Sequence, residues 1–148
     1  MKEEKIRPTA ICVCSHQGHI LVTEYVEKGR LYYRPVGGGI DFGERGQETV
    51  RREFREELGA DLENVRYLGL LENIYTYDGR RFHQLVLVYD GRLSDANLYT
   101  LEAIFGDELG QAFKAVWMRL DEFGPGKAQV YPEGLLALLG IKKKETTS

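Results

Sequence analysis

Residues 38–60 read GGIDFGERGQETVRREFREELGA, a glycine-led loop running into a segment crowded with glutamate and arginine. From Gln47 to Leu58 the pattern is helical: Val50, Phe54 and Leu58 recur every four residues and make one apolar stripe. Gly59 stands where a left-handed C-terminal cap is expected. Glu44 and Glu48 lie near the other end, where the helix dipole favours negative charge. Glu53, Glu56 and Glu57 fall at i, i+3 and i+4, within an arc of roughly 100°. The centre of the apolar stripe lies about 100° from Glu53. One helix therefore buries one side and presents three carboxylates from another.

Acids at these spacings repel by roughly a few tenths of a kcal/mol per pair when exposed, and by more when desolvated. Two arrangements offset that repulsion. Arg51, Arg52 and Arg55 interleave with the acids and could make the face a solvated lattice of ion pairs. A divalent cation would do it better, and hard carboxylate oxygens are the donors that magnesium and manganese prefer.

Outward from the helix, alternating and apolar runs predict strands. Ala10 to Ser15 and Ile20 to Tyr25 form a hairpin about Gln17-Gly18, and Leu31 to Arg34 form a short strand ended by Pro35. Gly37-Gly38-Gly39 opens a flexible loop. Val65 to Tyr75 and Phe82 to Tyr89 are further strands, joined by a turn at Asp78-Gly79. The polar stretch from Ser94 to Gln111 reads as a loop with some helical character, Phe113 to Met118 as a last strand, and Glu133 to Leu139 as a terminal helix after Pro132. Strands interrupted by two separated helices predict an α/β fold with a mixed sheet covered on both faces.

At 148 residues, with 43% hydrophobic and 29% charged side chains, the chain suits one globular domain, taken as residues 1–141, with residues 142–148 a flexible tail. No apolar run approaches the roughly 20 residues of a membrane span, and the charged start Met1 to Lys5 lacks a secretory core, so the expected address is the cytoplasm. A net charge of −3 argues against broad binding to nucleic acid. Cys12 and Cys14 lie on one strand face and read as buried thiols, because a zinc site needs more ligands than these. His16 and His19 flank the hairpin turn as exposed histidines.

The spacing of residues 38–60 resembles the Nudix box, G-x5-E-x7-R-E-U-x-E-E-x-G-U, with U a bulky aliphatic. Gly38, Glu44, Arg52, Glu53, Glu56, Glu57 and Gly59 occupy its invariant positions. At average residue usage a chance match has odds below roughly one in 10⁸ per starting point. Phe54 and Ala60 depart mildly, one larger and one smaller than the aliphatic they replace.

Membership of the Nudix hydrolases, MutT-like enzymes, implies an α/β/α sandwich with a mixed β-sheet between helices. It also implies a metal-dependent pyrophosphohydrolase acting on phosphoric anhydrides. Carried over position by position, Glu53, Glu56 and Glu57 bind magnesium (or manganese), with the Gly38 carbonyl beside them. Glu56 or Glu57 becomes the general base, Arg52 orients a glutamate, and Glu44 braces the loop or joins the outer metal shell. Some family members take the base from outside the box, for which Glu102 and Glu108 are the candidates. Arg34, Tyr77 and His83 are the candidate substrate contacts, with packing an equal reading for Tyr75 and Tyr77 and the favoured one for Trp117.

The resemblance implies a small-molecule nucleotide substrate and allows a homodimer. The substrate class is a nucleoside diphosphate linked to another group, such as a nucleotide sugar or a dinucleoside polyphosphate. The alternatives are a nucleoside-triphosphate pyrophosphohydrolase of the MutT type and a nucleotide sensor that does not cleave. Members specific for adenosine-diphosphate-ribose often carry a proline where this chain has Thr76, whereas Tyr77 fits the dinucleoside-polyphosphate pattern.

Overall fold

The computed structural model describes residues 4–108 and 110–146, with the side chains of residues 108 and 141–146 outside that description. The chain runs β1 (Ile6–Val13), β2 (Ser15–His16), β3 (His19–Glu27), β4 (Arg30–Arg34), β5 (Gly37–Gly39), α1 (Gly46–Leu58), β6 (Leu62–Tyr77), β7 (Arg80–Leu93), β8 (Ala103–Glu108), β9 (Gln111–Arg119), β10 (Gln129–Val130) and α2 (Leu135–Thr146). Single 3₁₀ turns cover Ala96–Thr100 and Leu120–Glu122.

The strands form two sheets. One has the order β5-β1-β7-β6, and β1 pairs parallel with β7 but antiparallel with β5. The other has the order β10-β4-β3-β9-β8, with β2 added on β3. Central strands are apolar on both sides because helices cover both. Ala10 and Cys12 of β1 join Leu21, Val50, Phe54, Tyr89 and Ile104 in the core beneath α1. Ile11 and Val13, pointing the other way, join Ile20, Val22, Val88 and Leu135 in the core beneath α2. The result is the expected α/β/α layering, with each helix seated on residues from both sheets.

Three segments differ from the sequence expectation. Gly37–Gly39 is a strand rather than the start of a loop: it pairs Gly37 with Ile11 and Gly39 with Thr9, so tertiary pairing overrides the low strand propensity of glycine. The supposed loop from Ser94 to Gln111 contains β8, paired along β9 from Ala103–Val116 to Glu108–Gln111. Its acids hide the pattern, because only Ile104 is buried while Phe105 faces solvent. At the C-terminus, α2 continues through residues 142–146, where the sequence suggested a loose tail.

The expected hairpin about Gln17-Gly18 survives only as β2 on β3, because β1 pairs instead with β5 and β7 in the other sheet. The cysteine and tryptophan expectations hold. Cys12 and Cys14 are free and buried, and a hydrogen bond between the thiols, with burial, pushes Cys12 up. The indole of Trp117 packs against the α1 core and donates to the Leu98 carbonyl at 3.2 Å.

Phe54 is wholly buried whereas Phe42, twelve residues earlier, is fully exposed. Phe54→Ala should cost about 3–5 kcal/mol of unfolding free energy, and Phe42→Ala should stay within about 0.5 kcal/mol of the parent. Urea denaturation of the two variants checks the contrast.

Candidate active site

Helix α1 begins where the Glu48 carboxylate accepts from the Arg45 N–H at 3.0 Å. It ends at Gly59, whose φ of 64° is the left-handed conformation that glycine adopts at least cost. Between these ends Val50 and Phe54 are buried, as the apolar stripe requires. The three glutamates are not equivalent. Glu53 and Glu57 are only 7% and 8% exposed, whereas Glu56 is open to solvent. Two buried carboxylates one turn apart would destabilise the helix without positive charge or hydrogen bonds nearby.

Arg52 supplies much of that charge. Its Nη1 donates to Glu53 Oε1 at 3.0 Å and to Glu56 Oε2 at 3.3 Å. Its Nε and Nη2 grip the two oxygens of Glu44 at 2.8 and 3.0 Å, and Nη2 also donates to the Gly39 carbonyl at 3.1 Å. Asp41 lies 3.4 Å from the same nitrogen. Glu44 is fixed further by the Thr49 hydroxyl at 2.6 Å and the Asp41 N–H at 3.2 Å. Hydrogen bonds from Arg52 and Thr49 pull the Glu44 pKa down from 4.5 to about 2, and the bond to Glu44 raises that of Arg52 in return. Glu44 thus braces the loop against the helix.

Gly38 lies against the Glu53 carboxyl group. A Cβ there would sit 2.6 Å from Glu53 Cδ, so the carboxyl group packs flat against the bare glycine backbone. Gly37, Gly38 and Arg34 line a cavity of about 480 Å³ whose other walls include Tyr32, Tyr75, Tyr77 and Tyr131. Burial opposes the charge on Arg34, yet the Tyr25 hydroxyl at 3.2 Å, Tyr32 and the Glu57 carboxylate together raise its pKa.

Arg34, Gly38 and Tyr77 line this cavity, and Gly38 also packs on Glu53, which Arg52 joins to Glu44 and Glu56, while the Glu57 carboxylate acts on the charge of Arg34. His83 is not among the lining residues; its Nε2 is buried with no hydrogen-bond partner among the described residues. Glu102 is exposed in the turn before β8, and the Glu108 side chain lies outside the described residues. His16 packs against Tyr99 at 4.9 Å between ring centroids. Asp41 and Thr49, which complete the grip on Arg52 and Glu44, carry no sequence signal, because their roles depend on how the loop folds back.

No three His, Cys, Asp or Glu side chains close into a metal cage among the described residues. The arrangement nonetheless fits a magnesium-like ion. Such an ion keeps several waters and takes one or two carboxylates plus substrate phosphates, and here exposed Glu56 lies on the same helix face as the hard oxygens of Glu53 and Glu57.

The NUDIX domain family matches residues 5–139. The chain belongs to the Nudix family. Its segments are 32% identical over 65 residues to the NAD-capped RNA hydrolase NudC of Vibrio vulnificus, covering 44% of this chain and 25% of that protein. They are 33% identical over 87 residues to the putative mutator protein MutT4 of Mycobacterium tuberculosis, covering 55% and 35%. The chain thus spans well under half the length of these curated relatives. A MutT NUDIX hydrolase from Burkholderia pseudomallei shares the fold at a TM-score of 0.69 and 22% identity, over 92% of this chain and 98% of that one. A NUDIX hydrolase from Nitrosomonas europaea does so at 0.69 and 18%, over 95% and 90%. No helix among the described residues is long and apolar enough to cross a membrane.

Because the folded pKa of Glu44 lies below its ordinary value, the bond to Arg52 stabilises the fold above about pH 4.5 and is lost as pH falls toward about 2. Glu44→Gln should lower stability at neutral pH and flatten the acid limb of the unfolding curve across that window. Chemical denaturation at stepped pH checks this, and an unchanged acid limb contradicts it.

Proposed function

We propose that this chain hydrolyses the pyrophosphate linkage of a nucleoside diphosphate joined to another group, using magnesium, with manganese as a substitute. The carrying observation is that Glu53, Glu56 and Glu57 share one helix face, with Arg52 holding Glu53 and Glu56, and that Gly38, packed on Glu53, also lines a cavity of about 480 Å³. Buried acids without such a role would be a poor use of a helix face.

A bound divalent ion would supply Lewis-acid charge for the phosphate oxygens and would lower the pKa of the attacking water. The chain's own residues do the rest. Glu53, Glu56 and Glu57 hold the positive centre, with the Gly38 carbonyl beside them. Arg52 fixes the direction of Glu53 and Glu56, and through Glu44 it holds the glycine loop at the correct height. Glu56, which is exposed to solvent, and Glu57 are the candidates to take the proton from water. Arg34 meets phosphate charge at the cavity end, and Tyr77 flanks the rest of the substrate.

The likeness to NAD-capped RNA hydrolase segments supports a substrate with a nucleotide on each side of the pyrophosphate. The likeness to the MutT4 segment supports the second reading, a nucleoside-triphosphate pyrophosphohydrolase. A cytosolic setting suits either.

With a panel of dinucleotides, nucleotide sugars and nucleoside triphosphates, magnesium-dependent release of nucleotide is expected, abolished by a chelator. Glu56→Gln and Glu57→Gln should each lower kcat by about 100-fold or more while leaving the thermal midpoint near that of the parent. Full activity in both variants sinks the assignment, and binding without turnover across the panel turns the protein into a sensor.

A further inference from the structure

The cavity has a second polar feature, remote from the glutamates. Asn73 on β6 is 8% exposed, and its Nδ2 donates to Gln84 Oε1 on β7 at 3.2 Å. The two residues face each other in register, and both line the cavity. One bond between two primary amides leaves an acceptor on Asn73 and a donor on Gln84, side by side. Reversing both amides exchanges these roles but still leaves one of each.

Aromatic rings flank this pair. Tyr75 stacks on Phe82 with centroids 5.0 Å apart and planes 11° from parallel. Across the cavity Tyr32 stacks on Tyr25 at 5.1 Å and 16°, with Tyr131 edge-on to it at 5.7 Å. Tyr32 and Tyr75 are each backed by another ring, so their planes are held before any ligand arrives. A flat donor–acceptor edge between aromatic walls matches the edge and faces of a nucleobase. A sugar or an aliphatic chain offers no such combination.

The distance is also suitable. Gly38 is level with Ala10 of β1, while Gln84 is level with Arg7. Two strand spacings across and three residues along give roughly 14 Å between the glycine and the amide, the reach of an extended nucleoside diphosphate.

We infer that Asn73 and Gln84 form the base-reading element of the substrate site, hydrogen-bonding a nucleobase edge that offers one donor beside one acceptor while Tyr32 and Tyr75 enclose its faces. The inference rests on the proposed function only in assigning phosphate to the Gly38 end. It adds that the group held in the cavity is a base, and that its recognition is separate from the chemistry.

The test is calorimetric binding, with magnesium present, of the α,β-methylene analogues of adenosine, guanosine, cytidine and uridine diphosphate. Methylenediphosphonate, which keeps the phosphate end and lacks the nucleoside, is the reference. At least one nucleotide should bind about ten-fold or more tightly than the reference. Asn73→Leu and Gln84→Leu should each erase most of that margin without changing the affinity for methylenediphosphonate. Thermal melts establish folding; if Asn73→Leu does not fold, Gln84→Leu, at a half-buried position, decides.

Nucleotides that bind no better than methylenediphosphonate overturn the inference, as does a folded variant that keeps the full margin. Base-dependent binding with no hydrolysis of any substrate supports base reading and removes the hydrolase. Hydrolysis with unaltered binding in both variants does the reverse.

Discussion

The Arg52 guanidinium sits where three constraints meet: buried acids on a helix, a glycine loop that must lie flat, and a cavity that must open beside both. Its Nη1 reaches Glu53 and Glu56, its Nε and Nη2 reach Glu44, and Nη2 also holds the Gly39 carbonyl. A planar fork with five donors can satisfy these directions together, whereas a lysine ammonium, as a point charge, could not. The loop leading into α1 is therefore tied to the middle of the helix. The pleat of β5 against β1 follows from that tie, because Gly39 is at once a partner of Arg52 and of Thr9.

This geometry separates the glutamates by task. Glu44, with its carboxylate engaged by Arg52, Thr49 and the Asp41 N–H, acts as a brace. Glu53 lies against Gly38, and Glu56 remains in contact with water. The ion-paired helix face and the proposed metal-holding face, which stand as alternatives in the sequence, are compatible here. Arg52 pairs with the acids and in doing so aims them. A salt-bridged face built only for solubility would have exposed its carboxylates, and two of these are buried.

Helical spacing made much of α1 legible, because the stripe of Val50, Phe54 and Leu58 and the acids beside it depend only on local geometry. The cap at Gly59 was legible for the same reason. Contacts made by strand pairing were not. Asn73 and Gln84 are eleven residues apart and meet only because β6 and β7 pair in that register. Nothing in the triplet Gly37-Gly38-Gly39 announces a strand, since its pairing is set by β1. The acids around β8 masked a strand whose buried side contributes little more than Ile104. His83 illustrates the limit of position along the chain: it stands one residue from Gln84, and strand alternation takes the two side chains to opposite faces, so only Gln84 reaches the cavity.

On the proposed reading, charge at the Gly38 end and the flat polar and aromatic surface toward the Asn73 end recognise different parts of the substrate. The central claim is that the Glu53, Glu56 and Glu57 face, aimed by Arg52, holds a divalent ion with open coordination. Water-proton relaxation during manganese titration reads this directly, because bound Mn²⁺ that keeps exchangeable waters enhances relaxation. The account predicts a saturable enhancement in the parent protein that disappears in a folded variant with all three glutamates changed to glutamine. The same enhancement at the same affinity in that variant would contradict it.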